Sequence, residues 1–522
     1  MKLLHILSFF VGMMLIVGML YCTDHRHFKK PIVQLGIKPV SECYSNVCIE
    51  VNPNIELVEI VFYLAGWNNF PNMDYTYVKD VNLYFRDYQN SSAVMLAKKA
   101  IKAGLIYDAI PKFALELDNR TWNKNMLNRV NNNEKLLNEL ALAINKFANN
   151  TNFTKFYTDH RLFYDDQIRL FVQEHPEYKE IPKFIESFFG RKKNKWIFIL
   201  QPLQFHYSYA GPEKQEMYAF LGICSFINNT TPLYCNASAH EFAHAFVNPE
   251  VEKFYSLFKP YHKMFLPVED IMKNMGYATW KVYLQETFVR AFEAYYLEKT
   301  GKIRSLQTFL KKQENIGFYL VKYVYNAYIN EYVPQRDKYK TFEDFMPRLA
   351  ELTGRWYEEG FWKNVSPEPT IGSVFYSFLS GKIGIYFSGG AHVKEYAEHY
   401  MEKLQKAGFK VKMAKNANEK ENMIIITVAS SSVVQELDKY THLKFTNNSI
   451  IGLSTGRVYK GKFLAIEAIR NPWNKKGFIL LIVGTTDNVF SIEKNREEKN
   501  SRILSCHYAI YNKEERKIVE CG

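Results

Sequence analysis

The residues best placed to do chemistry lie in the stretch NASAHEFAHAFVNP, positions 236–249. His240 and His244 are four positions apart, so on a helix one turn brings both imidazoles to the same face. Two neutral imidazoles in that relation can chelate one zinc ion. Glu241 follows the first histidine, and its carboxylate is placed to take a proton from a metal-activated water rather than to bind the metal. Small Ala237, Ala239, Ala243 and Ala245 surround the ligands, and Phe242 and Phe246 can anchor the helix. The plainer alternative is a pair of histidines that merely cap or line a core.

A zinc site that does chemistry needs a third protein ligand and a fourth position left for water. No third histidine follows at short spacing. The better source is YLQETFVRAFEAYYLEKTG, residues 283–301, where Glu286, Arg290 and Glu293 form one polar stripe among Phe, Ala, Leu and Tyr. Charges on such a helix are expensive unless a metal or a partner compensates them. Glu286 is the expected ligand and Glu293 the reserve, with Arg290 available to orient a carboxylate or a substrate terminus. The competing reading of the stripe is a salt-bridged exposed face. Glu269 and Asp270 are weaker ligand candidates beside a loop. His206, Tyr207 and Tyr209 in FHYSYAG could offer a donor to a developing oxyanion, although tyrosine is abundant here (36 residues) and chance placement explains it as well.

The two helices, roughly residues 237–300, resemble the gluzincin class of zinc metallopeptidases, which pair HExxH with a downstream glutamate on a second helix. HEFAHAFVNP followed by ETFVRA is also similar to an uncharacterised family of exported bacterial and archaeal HExxH proteins. The resemblance implies Zn2+ held by His240, His244 and Glu286, Glu241 as general base, and a peptide or protein substrate. It also implies a zincin-like sheet beside the active-site helix, with Trp196–Leu200 part of it and an edge strand that takes extended peptide. The chain departs from the class in lacking an Asn-Glu-x-x-Ser-Asp-like stretch; Thr287 and Arg290 follow Glu286 instead.

The surrounding elements suit an exported protein. Lys2 precedes an apolar run from Leu3 to Tyr21, which reads as a signal peptide or an uncleaved N-terminal anchor over residues 1–22 and allows membrane anchoring. Beyond Cys22, six cysteines fall into three local pairs: Cys43 with Cys48, Cys224 with Cys235, and Cys506 with Cys521. Free thiols in that number would need a reducing compartment. For the last pair, a hairpin with Tyr511 opposite Arg516 sets Cys506 across from Cys521, within reach of a disulfide. Sequons at Asn90, Asn119, Asn149, Asn152, Asn228, Asn229, Asn236, Asn364 and Asn447 fit a glycosylated exterior at the cell surface or outside the cell. The formal charge of +13 is scattered rather than gathered into an arm, which argues against nucleic acid as a partner.

Periodicity predicts an α+β chain. Residues 41–365 read as a largely helical zincin-like domain with a small sheet, its metal helix ending at Asn248-Pro249, where proline stops it. A composition change near residues 364–373 marks a boundary. Residues 370–522 then alternate strand and helix as a smaller α/β domain that ends in the disulfide-linked hairpin. Within it, Ser388-Gly389-Gly390 opens a helix and raises anion binding as a minor possibility.

Overall fold

A computed structural model describes residues 30–67, 75–205, 207–211, 216–227, 231–235, 237–365, 367–406, 409–474, 477–491, 506–515 and 517–522. The leader over 1–22, His206 and the sequons at Asn228, Asn229 and Asn236 lie outside the described residues. The fold is α+β.

Val40–Tyr44 (β1) and Val47–Val51 (β2) form a hairpin that sets Cys43 directly opposite Cys48. Pro53–Leu64 (α1) follows; the Asn52 side chain caps it by accepting from the Asn54 and Ile55 amides, and Pro53 takes the first position, where a missing N–H costs nothing. Among the helices that come next is Ala109–Leu115 (α2). Lys195–Phe205 (β3), Ser208–Ala210 (β4), Glu216–Ile227 (β5) and Thr231–Tyr234 (β6) complete a sheet of order β1-β2-β3-β5-β4, with β6 also on β5. β2, β3 and β5 are parallel, and β3 is buried from Trp196 to Phe205, as a central parallel strand requires. Trp196–Leu200 therefore lies in the middle of the sheet, and the antiparallel strand β4 forms the edge.

Ser238–Phe258 (α3) packs on this sheet through Phe242, whose ring meets Trp196 and Phe198 at 5.0 Å each. Contrary to the expectation, α3 does not stop at Pro249 but passes through it. Proline removes one backbone bond and crowds the carbonyl four residues back, yet Val251 and Phe258 beyond it are fully buried, and that burial offsets the loss. Trp280–Lys299 (α4) runs antiparallel to α3, with the Trp280 indole donating to the Phe258 carbonyl at 3.0 Å. Leu306–Asn315 (α5), Val321–Ala327 (α6) and Phe342–Glu359 (α7) follow.

Ile371–Ser380 (α8), which the sequence pattern did not suggest, precedes Lys382–Ser388 (β7), Ala391–Lys406 (α9), Lys410–Met413 (β8) and Asn422–Val428 (β9). Leu443–Thr446 (β10), Ser449–Gly452 (β11) and Val458–Lys460 (β12) form a small antiparallel sheet. Phe463–Arg470 (β13), Phe478–Gly484 (β14), Tyr508–Asn512 (β15) and Lys517–Cys521 (β16) join the others in a seven-stranded sheet of order β16-β15-β13-β14-β9-β7-β8. Strand alternation divides its two faces. Ile424, Ile426, Leu480 and Ile482 join the core that holds α8 and α9, while Met423, Ile425, Leu481 and Val483 pack with Leu443, Phe445 and Ile450 of the small sheet. The first of these cores is continuous with that around α3 and α4, and an ion pair of 2.6 Å between Asp270 and Arg470 adds to the junction.

The disulfides are Cys43–Cys48, Cys224–Cys235 and Cys506–Cys521. The terminal hairpin departs from the expected register. Asn512 pairs with Lys517 and Ala509 with Cys521, with a bulge between Ile510 and Tyr511, so Cys506 reaches Cys521 from just before β15 rather than across the ladder. The Asn512 side chain fixes the turn, which lies one residue further along the chain than expected, by accepting from the Glu514 and Glu515 amides. Among the described residues, no helix is long and apolar enough to cross a membrane. The described sequons at Asn90, Asn149, Asn152, Asn364 and Asn447 are exposed, and Asn119 is half-buried.

Candidate metal centre

The two helices that position the cluster are held by their apolar residues. On α3, Phe242, Ala243, Phe246 and Val247 are buried against the sheet and α4, which leaves His240 and His244 on the intervening face. On α4, the Thr279 side chain caps the first turn at the Val282 amide. Tyr283, Leu284, Phe288, Val289, Ala291 and Phe292 are fully buried, so Glu286 is carried into the interior with them.

One ligand atom from each of His240, His244 and Glu286 lies within 4.8 Å of the others. The two Nε2 atoms are 3.3 Å apart. Nε2 of His240 is 3.5 Å from Glu286 Oε1, and Nε2 of His244 is 3.4 Å from Glu286 Oε2. A tetrahedral zinc with bonds of about 2.0–2.1 Å has ligand-to-ligand edges of about 3.3–3.4 Å, so the two Nε2 atoms have the spacing of one edge of such a site, and each lies at a similar distance from a different oxygen of Glu286.

The outer nitrogens confirm which way each ring is turned. His240 Nδ1 meets Glu293 Oε2 at 3.0 Å, and His244 Nδ1 meets Asn248 Oδ1 at 3.3 Å. Both partners are acceptors, which places the proton on Nδ1 and the lone pair on Nε2. With both rings neutral in this tautomer, two lone pairs face each other across 3.3 Å, an arrangement that a cation between them relieves; without a cation, Glu293 and Glu286 favour a second proton on His240. Glu293, the reserve ligand, thus sits behind His240, in the relation that orients metal-binding histidines.

Arg290 contacts Glu286 rather than a position open to a substrate. Its Nη2 lies 2.6 Å from Glu286 Oε1, its Nη1 donates to Gln313 Oε1 at 2.8 Å, and its guanidinium stacks 4.4 Å above Phe318. Tyr277 also donates to Glu286 Oε1, at 3.3 Å. Glu241 is buried on the first turn of α3 and has no hydrogen-bond or ion-pair partner among the described residues.

Electrostatics divide these groups. Burial would lower His240, but Glu293 and Glu286 outweigh it and hold the imidazole up at about 10. His244 is pushed down to about 4 by burial. Burial lifts Glu241 to about 7, against His240 and the Lys112 ammonium on α2. Burial also acts to raise Glu286, yet Arg290 and His240 hold it well below the usual carboxylate range. Glu293 is held low against its own burial chiefly by His240.

The other sequence candidates lie elsewhere. Glu269 pairs with Lys273 at 2.8 Å and Asp270 with Arg470, so neither joins the cluster. Tyr209 lies on β4, where its ring neighbours Tyr107 and Tyr207 and its hydroxyl accepts from Gln204 at 3.5 Å. The amide-rich start of α9 after Ser388-Gly389-Gly390 is taken by the chain itself: Asp487 accepts from the His392 and Val393 amides at 3.3 and 3.2 Å. Asn248, Tyr277 and Gln313 were not anticipated. Asn248 continues the four-residue step from His240 through His244 and was legible in principle; Tyr277 and Gln313 come from neighbouring segments and carry no local signal.

Residues 123–352, less than half of the chain, match the family model described as a domain of unknown function (DUF4932), and this span contains the whole cluster. No curated protein matches the chain. No solved structure matches it.

Proposed function

We propose that this chain is a zinc-dependent metallopeptidase acting outside the cytoplasm, with His240, His244 and Glu286 as metal ligands and Glu241 as general base. The observation that carries the reading is the convergence of His240 Nε2 and His244 Nε2, 3.3 Å apart, on the Glu286 carboxylate, whose Oε1 lies 3.5 Å from the first and whose Oε2 lies 3.4 Å from the second. The donor set suits zinc, which when bound supplies Lewis acidity for water activation and carbonyl polarisation.

Charge supports the same conclusion. Three carboxylates (Glu241, Glu286 and Glu293) meet one guanidinium, Arg290, and a dication balances the remainder with both histidines neutral. Glu293 and Asn248 hold the rings, and Arg290 with Tyr277 holds Glu286, so each ligand has a partner that limits its rotation. Glu241 lacks such a partner, which leaves its carboxylate available to accept and return a proton. The resemblance to gluzincins extends the reading to peptide substrates and to a zincin-like fold, with β4 the edge strand beside α3 among the described residues. The three disulfides, with the apolar N-terminal run, support export, either secreted or held at the cell surface.

The test is hydrolysis of a peptide library by the purified protein before and after chelation, with zinc added back. Cleavage that disappears with chelator and returns with zinc supports the reading. The burial of the cluster, with Glu286 only 5% exposed, favours one rival: a binding or structural protein whose metal stabilises the fold. That rival predicts a chelator-dependent fall in melting temperature with no peptide cleaved.

A further inference from the structure

A cleft of about 1480 Å³ lies between α5 and α6 on one side and the disulfide-linked hairpin β15–β16 on the other. None of the metal-cluster residues lines it. Among the described lining residues, Lys311, Lys312, Lys322 and Lys517 reach it, against a single acidic side chain, Glu314. Lys311 pairs with Glu314 at 3.1 Å and Lys517 with Glu515 at 2.7 Å. Lys312 and Lys322 are exposed and have no carboxylate partner among the described residues. Leu306, Leu310, Tyr323 and Ile518 supply apolar surface between these ammonium groups.

Size and lining together select the occupant. Small-molecule sites measure about 300–1,000 Å³, so one metabolite underfills this space. A concave wall does not fit a flat lipid surface. A sulfated glycan satisfies the lysines but brings no apolar side chains for Leu306, Leu310 and Ile518. An extended polypeptide with interspersed acidic and apolar residues satisfies both. The cleft also shares a helix with the metal cluster: Gln313, between Lys312 and Glu314 on α5, accepts from Arg290, which holds Glu286.

We propose that this cleft is a docking site for an acidic, partly apolar segment of polypeptide; that the segment belongs to a protein substrate rests on the peptidase reading above. The probe is a fluorescein-labelled peptide of alternating glutamate and leucine. Its binding is followed by anisotropy on the full chain carrying Glu241→Gln, so that no turnover is needed. Saturable binding is expected, weakened by salt of about 0.5 M and weakened roughly tenfold or more by Lys312→Glu with Lys322→Glu. Thermal melting verifies that this variant is folded, and Lys312→Gln with Lys322→Gln, expected to weaken binding by a smaller factor, replaces it if it is not. Absence of binding overturns the proposal, as does binding indifferent to both pairs of substitutions or capture of dextran sulfate without the acidic peptide. A protein that binds the peptide but cleaves nothing removes only the peptidase reading. One that cleaves peptides but fails to bind the probe removes only the docking site.

Discussion

Replacing Arg290 with methionine keeps the length of the stem and removes the charge, which isolates what the guanidinium does for Glu286. The two side chains are 2.6 Å apart and are 17% and 7% exposed. At an effective dielectric of about 20, unit charges at that distance attract by roughly 6 kcal/mol. Relaxation and partial protonation of Glu286 reduce the net loss, and breaking one partner out of a buried pair costs about 3–5 kcal/mol in practice. That loss is expected in chelator. With zinc bound, a cation still faces Glu286, so the loss shrinks toward the roughly 1–2 kcal/mol of the missing hydrogen bonds. Linkage then fixes the sign of a second measurement: zinc must bind the variant more tightly, by the difference of about 2–3 kcal/mol, or roughly thirtyfold or more. Denaturant titration in chelator and in zinc gives the first quantity, and competition with a calibrated chelator gives the second. A variant as stable as the parent in chelator would show that Glu286 does not depend on Arg290. Weaker zinc binding would show that Arg290 acts by aiming Glu286 rather than by balancing its charge.

Other perturbations read other parts of the fold. Cys506→Ser opens a loop with a sequence separation of 15, and chain entropy sets the loss at about 3 kcal/mol; denaturation with and without reductant should differ for the parent beyond the effect of the other two bridges, and the variant should lack that part. His442 lies between Glu467 on β13 and Glu368, and Glu467 foremost holds it up at about 9. A raised imidazole stabilises the fold fully below its unfolded value of about 6.5 and loses that stabilisation as pH rises through about 9. Glu467, itself raised by burial, works in the same direction. His442→Gln should therefore flatten the fall in stability between those pH values and destabilise at neutral pH by about 1–3 kcal/mol; a parent whose midpoint does not fall over that window contradicts the pairing.

Much of the site could be read from spacing because its parts are local or periodic. The four-residue step of His240 and His244 is a property of one helix, and charges at Glu286, Arg290 and Glu293 stand out on an otherwise apolar one. Periodicity could not choose between Glu286 and Glu293, because seven residues return to nearly the same face of a helix. What separates them is about 10 Å along the axis, and the antiparallel crossing of α3 and α4 converts that distance into two roles, Glu286 toward both Nε2 atoms and Glu293 behind His240. Pro249 misled for a related reason: its local penalty is real, but Val251 and Phe258 are buried by neighbours far away in sequence. The terminal hairpin shows the same limit on a smaller scale, since a turn fixed by Asn512 and a bulge at Ile510 shifted the register while Cys506 and Cys521 stayed within bonding distance.

The central claim is that His240, His244 and Glu286 hold a zinc ion whose chemistry Glu241 serves. It is tested most directly by measuring bound zinc and peptide turnover side by side in the parent protein and in Glu241→Gln. About one zinc per chain is expected in both, with turnover in the parent and a loss of several orders of magnitude in the variant. Full turnover in Glu241→Gln, or a parent that binds no zinc, would contradict it.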